Sequence, residues 1–215
     1  MLLREERELV VEHCRMMSTR GLTRGTGGNI SALNRERMLF AISPSGMDYF
    51  LMQAEDVVVL DLEGKITDGV RKPSSELDMH RLLYADREDI NAVVHTHSTY
   101  ATTLACLHWS LPAVHYLIGF SGGDEVRCTP YAPFGSSELA RIARDAMKGR
   151  FAVLLGNHGL LAAGPDMRYA FNAAEETEFV CELYYRAKTV GDPVLLGPDD
   201  MKTVLGKFKT YGQRS

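Results

Sequence analysis

Tryptophan occurs once and cysteine four times in these 215 residues. No uninterrupted apolar run approaches the ~20 residues that a membrane-spanning helix requires. The opening segment, MLLREERELVVEHCRMM, has charges threaded through its apolar positions from Arg4 onward, so it lacks the apolar core of a secretory signal. Runs rich in lysine and arginine are missing as well. With 24 basic against 28 acidic residues, a net charge of −4, the chain is a poor candidate for broad electrostatic binding to nucleic acid or anionic lipid. A phosphate ligand would have to be held locally. Cys14, Cys106, Cys128 and Cys181 are scattered, form no CxxC pair and sit among apolar neighbours. They read as buried free thiols of a reducing compartment, so a cytoplasmic protein is expected.

What is present is ordinary globular material: 45% hydrophobic and 24% charged residues, enough to bury a core without inviting disorder. No repeat of 20–50 residues and no flexible linker divides the chain, so residues 1–215 are read as a single domain. Apolar spacing from Glu5 to Arg20 (Leu9, Val10, Met16, Met17) predicts a helix stopped at Gly21. TRGTGGNIS then runs into a strand, followed by strands at Met38–Ile42 and Val57–Leu62, the latter closed by a Glu63-Gly64 turn. Ser74 is positioned to cap a helix that buries Leu77, Leu82 and Leu83, and Asn91–Thr96 is β-rich. Ser98 caps a helix through Leu107, Val126–Thr129 is extended, and Ser136–Met147 is helical. Phe151–Leu155 is a strand, and a long helix from Arg168 to Val190 ends at Gly191-Asp192-Pro193. Strands alternating with helices predict an α/β domain around a mixed or antiparallel sheet.

The sharpest chemical signal is Val93-Val94-His95-Thr96-His97. On a strand, residues two apart face the same way, so two imidazoles would share one side, an arrangement suited to a transition metal. Gly156-Asn157-His158-Gly159 offers a third histidine just after an apolar strand, where functional side chains are commonly displayed. Glu76 is the fourth candidate. Alone it would read as a first-turn acid favoured by the helix dipole, but with three histidines it completes a Zn²⁺ site. His13, His80, His108 and His115 are also present, so spacing leaves the choice of three among seven open. Gly27-Gly28-Asn29, Ser45-Gly46 and Ser74-Ser75 are rich in glycine and small hydroxyls. They could cradle a phosphate, though each also reads as a turn or a cap. GxxxxGK[ST] and GxGxxG are absent from the expected settings.

In their order along the chain, GTGGNIS, SPSGMDY, KPSSE, VVHTHS, PAVHY, TPYAPFG and NHGLLA resemble the class II, zinc-dependent sugar-phosphate aldolases. Within that family the bacterial L-fuculose-1-phosphate aldolases are the nearest branch, and the similarity extends to the tail segment KFKTYG. The resemblance implies a three-layer α/β fold with a central antiparallel sheet flanked by helices, assembled as a homotetramer with sites at subunit interfaces. It implies one Zn²⁺ per subunit on His95, His97 and His158, with Glu76 as resting ligand and catalytic base. Phosphate binding falls on Gly28, Asn29, Ser45, Gly46, Ser74 and Ser75, with Ser45 standing where relatives often carry threonine. Tyr116 would serve a site completed by a neighbouring subunit, Tyr211 would close over it, and Phe134 would shape the aldehyde end.

The reaction so implied is reversible retro-aldol cleavage of L-fuculose 1-phosphate, or a similar ketose 1-phosphate, to dihydroxyacetone phosphate and L-lactaldehyde. The alternatives are a 4-epimerase acting on L-ribulose 5-phosphate and an aldolase for 5-deoxy- or methylthio-pentulose 1-phosphates. A non-catalytic adducin-like interaction module would have lost the metal set, which this chain keeps. A general metal hydrolase gains no support from the resemblance.

Overall fold

A computed structural model describes residues 1–208. The elements run α1 (Arg4–Thr19), β1 (Asn29–Asn34), β2 (Leu39–Ile42), β3 (Val58–Asp61), β4 (Ile66–Asp68), α2 (Leu77–Asp86) and β5 (Ala92–Thr96). They continue with α3 (Thr99–Cys106), β6 (Leu111–Pro112), β7 (Glu125–Val126), α4 (Ser137–Ala146), β8 (Ala152–Leu155), β9 (Gly159–Gly164), α5 (Met167–Val190) and α6 (Pro198–Phe208). Seven strands form one sheet in the order β4-β3-β2-β1-β5-β9-β8, every neighbouring pair antiparallel. β6 and β7 make a separate two-stranded ribbon. None of the described helices is long and apolar enough to cross a membrane.

Alternation along the strands divides the core into two layers. Ile30, Ala32, Val94, Leu160 and Ala162 face a cluster that includes Val10, Cys14 and Met17 of α1, Leu104 of α3 and Ala170 and Ala174 of α5. Leu33, Val93, Leu161 and Ala163 face the opposite cluster, with Met79, Leu83 and Tyr84 of α2 and Leu139, Ala140 and Ala143 of α4. Helices thus cover both faces of an antiparallel sheet, the three-layer architecture expected. Strands buried on both faces cannot show a polar side, which is why β5 and β9 read as continuous apolar runs.

Several local expectations shift. The buried stripe of α1 is Arg7, Val10, Cys14 and Met17, whereas Leu9 is exposed. Arg7 is tolerated inside because its guanidinium donates to the carbonyls of Leu2, Ala54 and Val57 and pairs with Asp68 at 2.7 Å. Only Cys14 and Cys181 are buried; Cys106 is exposed and Cys128 partly so, and all four are free thiols. Their apolar neighbours in sequence do not all lie on one side of the local backbone, so a neighbour count overstated burial. The extended Val126–Thr129 segment is in fact a two-residue strand followed by an isolated bridge between Cys128 and Leu154.

Helix α3 begins directly after His97-Ser98, and Ser98 makes no side-chain cap. The capping role is taken from across the fold. The Glu178 carboxylate of α5 accepts from the backbone N–H groups of Tyr100 at 2.8 Å and Ala101 at 2.7 Å. A carboxylate on the free N–H groups of a helix satisfies orphan donors and complements the dipole. Glu178→Ala is therefore expected to lower stability by about 1–2 kcal/mol, the usual magnitude for losing a cap. Urea unfolding followed by far-UV circular dichroism would measure it.

Candidate metal centre

Three strands and one helix end converge on a single point. His95 of β5 is fully buried and lies on the sheet face that packs against α2, next but one to Val93. Its Nδ1 is 2.9 Å from the carbonyl oxygen of Leu160 in β9. A carbonyl only accepts, so Nδ1 carries a proton, and Nε2 is the nitrogen turned toward the cluster. His97 follows one residue beyond β5, with its Nε2 3.1 Å from His95 Nε2. His158 comes from the turn joining β8 to β9, where Asn157 adopts φ 52°, a left-handed conformation that asparagine tolerates. The Asn157 N–H donates to the Ala105 carbonyl and its Oδ1 accepts from His108 Nε2, tying this turn to the end of α3.

Glu76 is buried at the position preceding α2. The helix was expected to be capped by Ser74. The Ser74 hydroxyl does accept from the Glu76 N–H at 3.2 Å, a cap-type bond, but it lies just ahead of the helix, whose N-cap position is Glu76 itself. Glu76 does not use its carboxylate as a cap because that group is turned the other way. Its Oε2 stands 3.3 Å from His95 Nε2 and its Oε1 3.3 Å from His158 Nε2.

These separations can be tested against a metal. The edge of a tetrahedron with bonds of ~2.0–2.1 Å measures about 3.3–3.4 Å. The donor-to-donor distances of 3.1, 3.3 and 3.3 Å correspond to such edges. The three histidines can each offer one nitrogen within 4.8 Å of the others. Glu76 Oε1 is buried with no hydrogen-bond partner, a costly condition that a cation would relieve. Burial, then the neighbouring rings His95 and His158, hold His97 at about 4; burial, then His95, does the same for His158. Both rings are thus neutral ligands at pH 7. Burial opposes ionisation of Glu76, but charge and hydrogen bonding from His95, then charge from His158 and the Asn29 amide, bring it to about 2. Three imidazole nitrogens and one carboxylate are a donor set that fits a divalent transition metal.

The glycine- and serine-rich segments gather beside this centre. The Ser43 N–H donates to the Ile30 carbonyl, Ser74 N–H to Ser43, and Ser45 N–H to Lys72, which zips residues 43–46 to residues 72–75 next to the start of β1. The Tyr49 hydroxyl donates to the carbonyls of Gly27 and Gly28 at 2.8 and 2.9 Å. Gly28 has φ +82°, and a Cβ there would stand 2.5 Å from the His95 carbonyl oxygen, so only glycine fits. Ser45, Gly46 and Ser75 are exposed, Ser74 and Asn29 buried. The loop carrying Phe134 passes over Ser75, where a Cβ on Gly135 would come within 3.0 Å of the Ser75 carbonyl oxygen, and the Phe134 ring is exposed.

Not every expected residue joins the cluster. Tyr116 is half-exposed in a 3-10 segment, Tyr116–Ser121, where its ring lies against His115 and Phe208; among the described residues it makes no ring contact with His95, His97 or His158. Tyr211 lies outside the described residues. Conversely, His80, Ser31 and Tyr84 went unread although they share one hydrogen-bonded chain with Asn29 and Glu76. The signal existed: Glu76, His80 and Tyr84 recur every fourth residue, one face of a helix, opposite Asn29 and Ser31, two apart on a strand.

The chain matches the model of the family described as Class II Aldolase and Adducin N-terminal domain over residues 8–185. It belongs to that family and is a class II aldolase, a lyase of a metal-dependent class. It is 54% identical over 214 residues, covering all of both chains, to the 5-deoxy-D-ribulose 1-phosphate aldolase of Bacillus thuringiensis serovar kurstaki. It is 42% identical to the 5-methylthioribulose-1-phosphate/5-deoxyribulose-1-phosphate aldolase of Rhodospirillum rubrum, over 96% of this chain and 92% of the other. A solved L-fuculose 1-phosphate aldolase superposes with a TM-score of 0.95 at 44% identity, covering 97% of this chain and 98% of that one.

The buried rings also set an acid limit. Burial, then the adjacent His95, depresses His80 to about 3 from an ordinary 6.5. The unfolded chain takes up that proton near pH 6.5 and the folded chain only near 3, so the stability this ring contributes is complete above 6.5 and is lost as pH falls toward 3. Metal-free protein should show a falling urea midpoint from pH 7 to pH 4.5, and His80→Gln should lose less over the same interval.

Proposed function

We propose that this chain is a zinc-dependent aldolase that reversibly cleaves a 5-deoxypentulose 1-phosphate, with 5-deoxy-D-ribulose 1-phosphate giving dihydroxyacetone phosphate and acetaldehyde. The observation that carries the chemistry is the buried Glu76 carboxylate, its two oxygens 3.3 Å from the Nε2 atoms of His95 and His158, with His97 Nε2 3.1 Å from that of His95. The substrate rests on the end-to-end 54% identity to a 5-deoxyribulose 1-phosphate aldolase, against 44% for the solved L-fuculose 1-phosphate aldolase. This replaces L-fuculose 1-phosphate, the substrate expected from the motifs.

His95, His97, His158 and Glu76 would hold the metal, which supplies Lewis-acid polarisation of the ketose carbonyl and offsets the negative charge of the enediolate. In cleavage, the C4 hydroxyl proton goes to a base, the C3–C4 bond breaks, the aldehyde departs, and C3 of the enediolate takes a proton from Glu76. Condensation reverses each transfer, Glu76 removing the proton from the hydroxymethyl carbon. The backbone around Gly28, Asn29, Ser45, Gly46, Ser74 and Ser75 would grip the phosphate, and Phe134 would border the aldehyde. Tyr116, half-exposed at a surface of its own chain, is assigned to the C4 oxygen in a neighbouring subunit of a homotetramer, with Tyr211 closing the same site.

Three outcomes are expected. Zinc analysis should find one ion per chain, and its removal by a chelator should abolish cleavage until zinc is restored. Glu76→Gln should keep the fold but lose proton exchange between solvent and dihydroxyacetone phosphate by several orders of magnitude; near-normal exchange in zinc-loaded variant would remove Glu76 as the base. Across 5-deoxy-D-ribulose 1-phosphate, 5-methylthio-D-ribulose 1-phosphate, L-fuculose 1-phosphate and L-ribulose 5-phosphate, kcat/KM should be highest for the first. A preference for L-fuculose 1-phosphate would overturn the substrate assignment.

Tyr116→Phe should slow carbon–carbon cleavage while sparing triose-phosphate binding. Reassembled mixtures of Tyr116→Phe and Glu76→Gln chains, verified as mixed oligomers, should regain activity. Mixed assemblies no more active than the two parents would return Tyr116 to a structural role.

A further inference from the structure

Behind Glu76 runs a chain of four buried polar side chains. The Asn29 Nδ2 donates to Glu76 Oε2 at 2.9 Å, and Asn29 Oδ1 is 2.6 Å from His80 Nε2. On the far side of the ring, His80 Nδ1 is 2.7 Å from Ser31 Oγ, which is 2.5 Å from the Tyr84 hydroxyl. His80, Ser31 and Tyr84 are completely buried and Asn29 nearly so.

The direction of these bonds follows from the carboxylate end. An ionised carboxylate only accepts, so the Asn29 amide must turn its NH₂ toward Glu76 and its oxygen toward His80. That oxygen also only accepts, so His80 Nε2 carries the proton. The neutral ring then presents Nδ1 as an acceptor, which Ser31 fills as donor, and the Tyr84 hydroxyl in turn donates to Ser31. With no water needed, each link fixes the next, and the chain aims every donor toward Glu76.

Glu76 needs such a hold. Among the described residues, Oε2 has the Asn29 amide as its hydrogen-bond donor, with His95 Nε2 3.3 Å away, and Oε1 has no hydrogen-bond partner. A carboxylate that both contacts a metal and leaves it to move a proton has two positions to choose between. An amide donor locked from behind biases that choice without occupying the metal.

We propose that His80, supported by Ser31 and Tyr84, is a positioning residue that acts on Glu76 through the Asn29 amide and thereby sets how firmly Glu76 ligates the metal. The inference rests on the reading of Glu76 as a ligand, but not on its being the base.

The test is a double-mutant cycle on zinc affinity, measured by chelator competition with the full-length chain. His80→Leu in the wild-type background should weaken zinc binding about ten- to a hundredfold, the usual effect of removing a partner behind a ligand. In a Glu76→Ala background, the same substitution should change affinity less than twofold, because the group it positions is gone. His80→Gln, whose amide N–H can occupy the place of Nε2, should recover most of the loss. Ser31→Ala, which deletes a single hydroxyl from β1, should weaken binding in the same Glu76-dependent manner and serves if His80→Leu does not fold.

Equal losses in both backgrounds, or no loss in the wild-type background, would overturn the proposal. Zinc affinity unchanged by Glu76→Ala itself would remove Glu76 as a ligand, and the positioning role with it. Proton exchange in Glu76→Gln separately decides the base, so the two readings can fail independently.

Discussion

A buried carboxylate surrounded by three buried or half-buried imidazoles is the constraint to which the rest of this molecule answers. Taking Glu76 out of water is expensive, and the surroundings return that cost only if its oxygens are satisfied. One oxygen has the Asn29 amide; the other has no hydrogen-bond partner and faces His158. The cluster therefore leaves a buried carboxylate oxygen unsatisfied among the described residues, a condition that a cation would relieve. The antiparallel strand order serves that end. β5 lies between β1 and β9, so Asn29 reaches the centre from one neighbour and the Leu160 carbonyl orients His95 from the other. The β8–β9 turn then delivers His158 at the same level.

The same arrangement shows why the phosphate segments and the metal ligands cannot vary independently. Residues 72–75 are hydrogen-bonded to residues 43–46 and lead straight into Glu76. Gly28 presses on the backbone of His95, one residue before the Asn29 that holds Glu76. If these turns hold a phosphate, as proposed, covalent adjacency would register it against the imidazole cluster, a few bonds away. Such registration converts encounter into alignment, which is where much of a bimolecular barrier is removed.

Much of this was legible in sequence wherever one element carried the whole signal. The HxH pair announced itself by its period of two, and α4 and α5 by their apolar spacing. β9 did not, because GLLAAG is a short, alanine-rich run bounded by glycine, with little of the β-branched bias that marks a strand. β4 is three residues long and mostly exposed, and α6 follows the Gly191-Asp192-Pro193 stop, after which no helix was expected. The Asn29–His80–Ser31–Tyr84 chain is legible only when a four-residue helical period is set against a two-residue strand period. Neither half is unusual alone. Pairing across elements depends on which strand faces which helix, and that is a property of topology.

The choice between L-fuculose 1-phosphate and a 5-deoxypentulose 1-phosphate was not written in the motifs, for a related reason. GTGGNIS, SPSGMDY, KPSSE, VVHTHS and NHGLLA surround the phosphate segments and the metal cluster, the part of the site that would hold the triose half of any ketose 1-phosphate. Those motifs therefore identify the family and are silent about the aldehyde. L-Lactaldehyde and acetaldehyde differ by one CHOH group. A site built to hydrogen-bond that hydroxyl rejects a substrate lacking it, whereas an apolar site discriminates far less. Discrimination would then reside outside the triose half, and the exposed aromatic loop of Tyr131 and Phe134, crossing above Ser75, is the part of the shared pattern proposed to border the aldehyde. Both aldehydes end in a methyl group, so aromatic rings alone would not tell them apart; a group placed to hydrogen-bond the extra hydroxyl of L-lactaldehyde would.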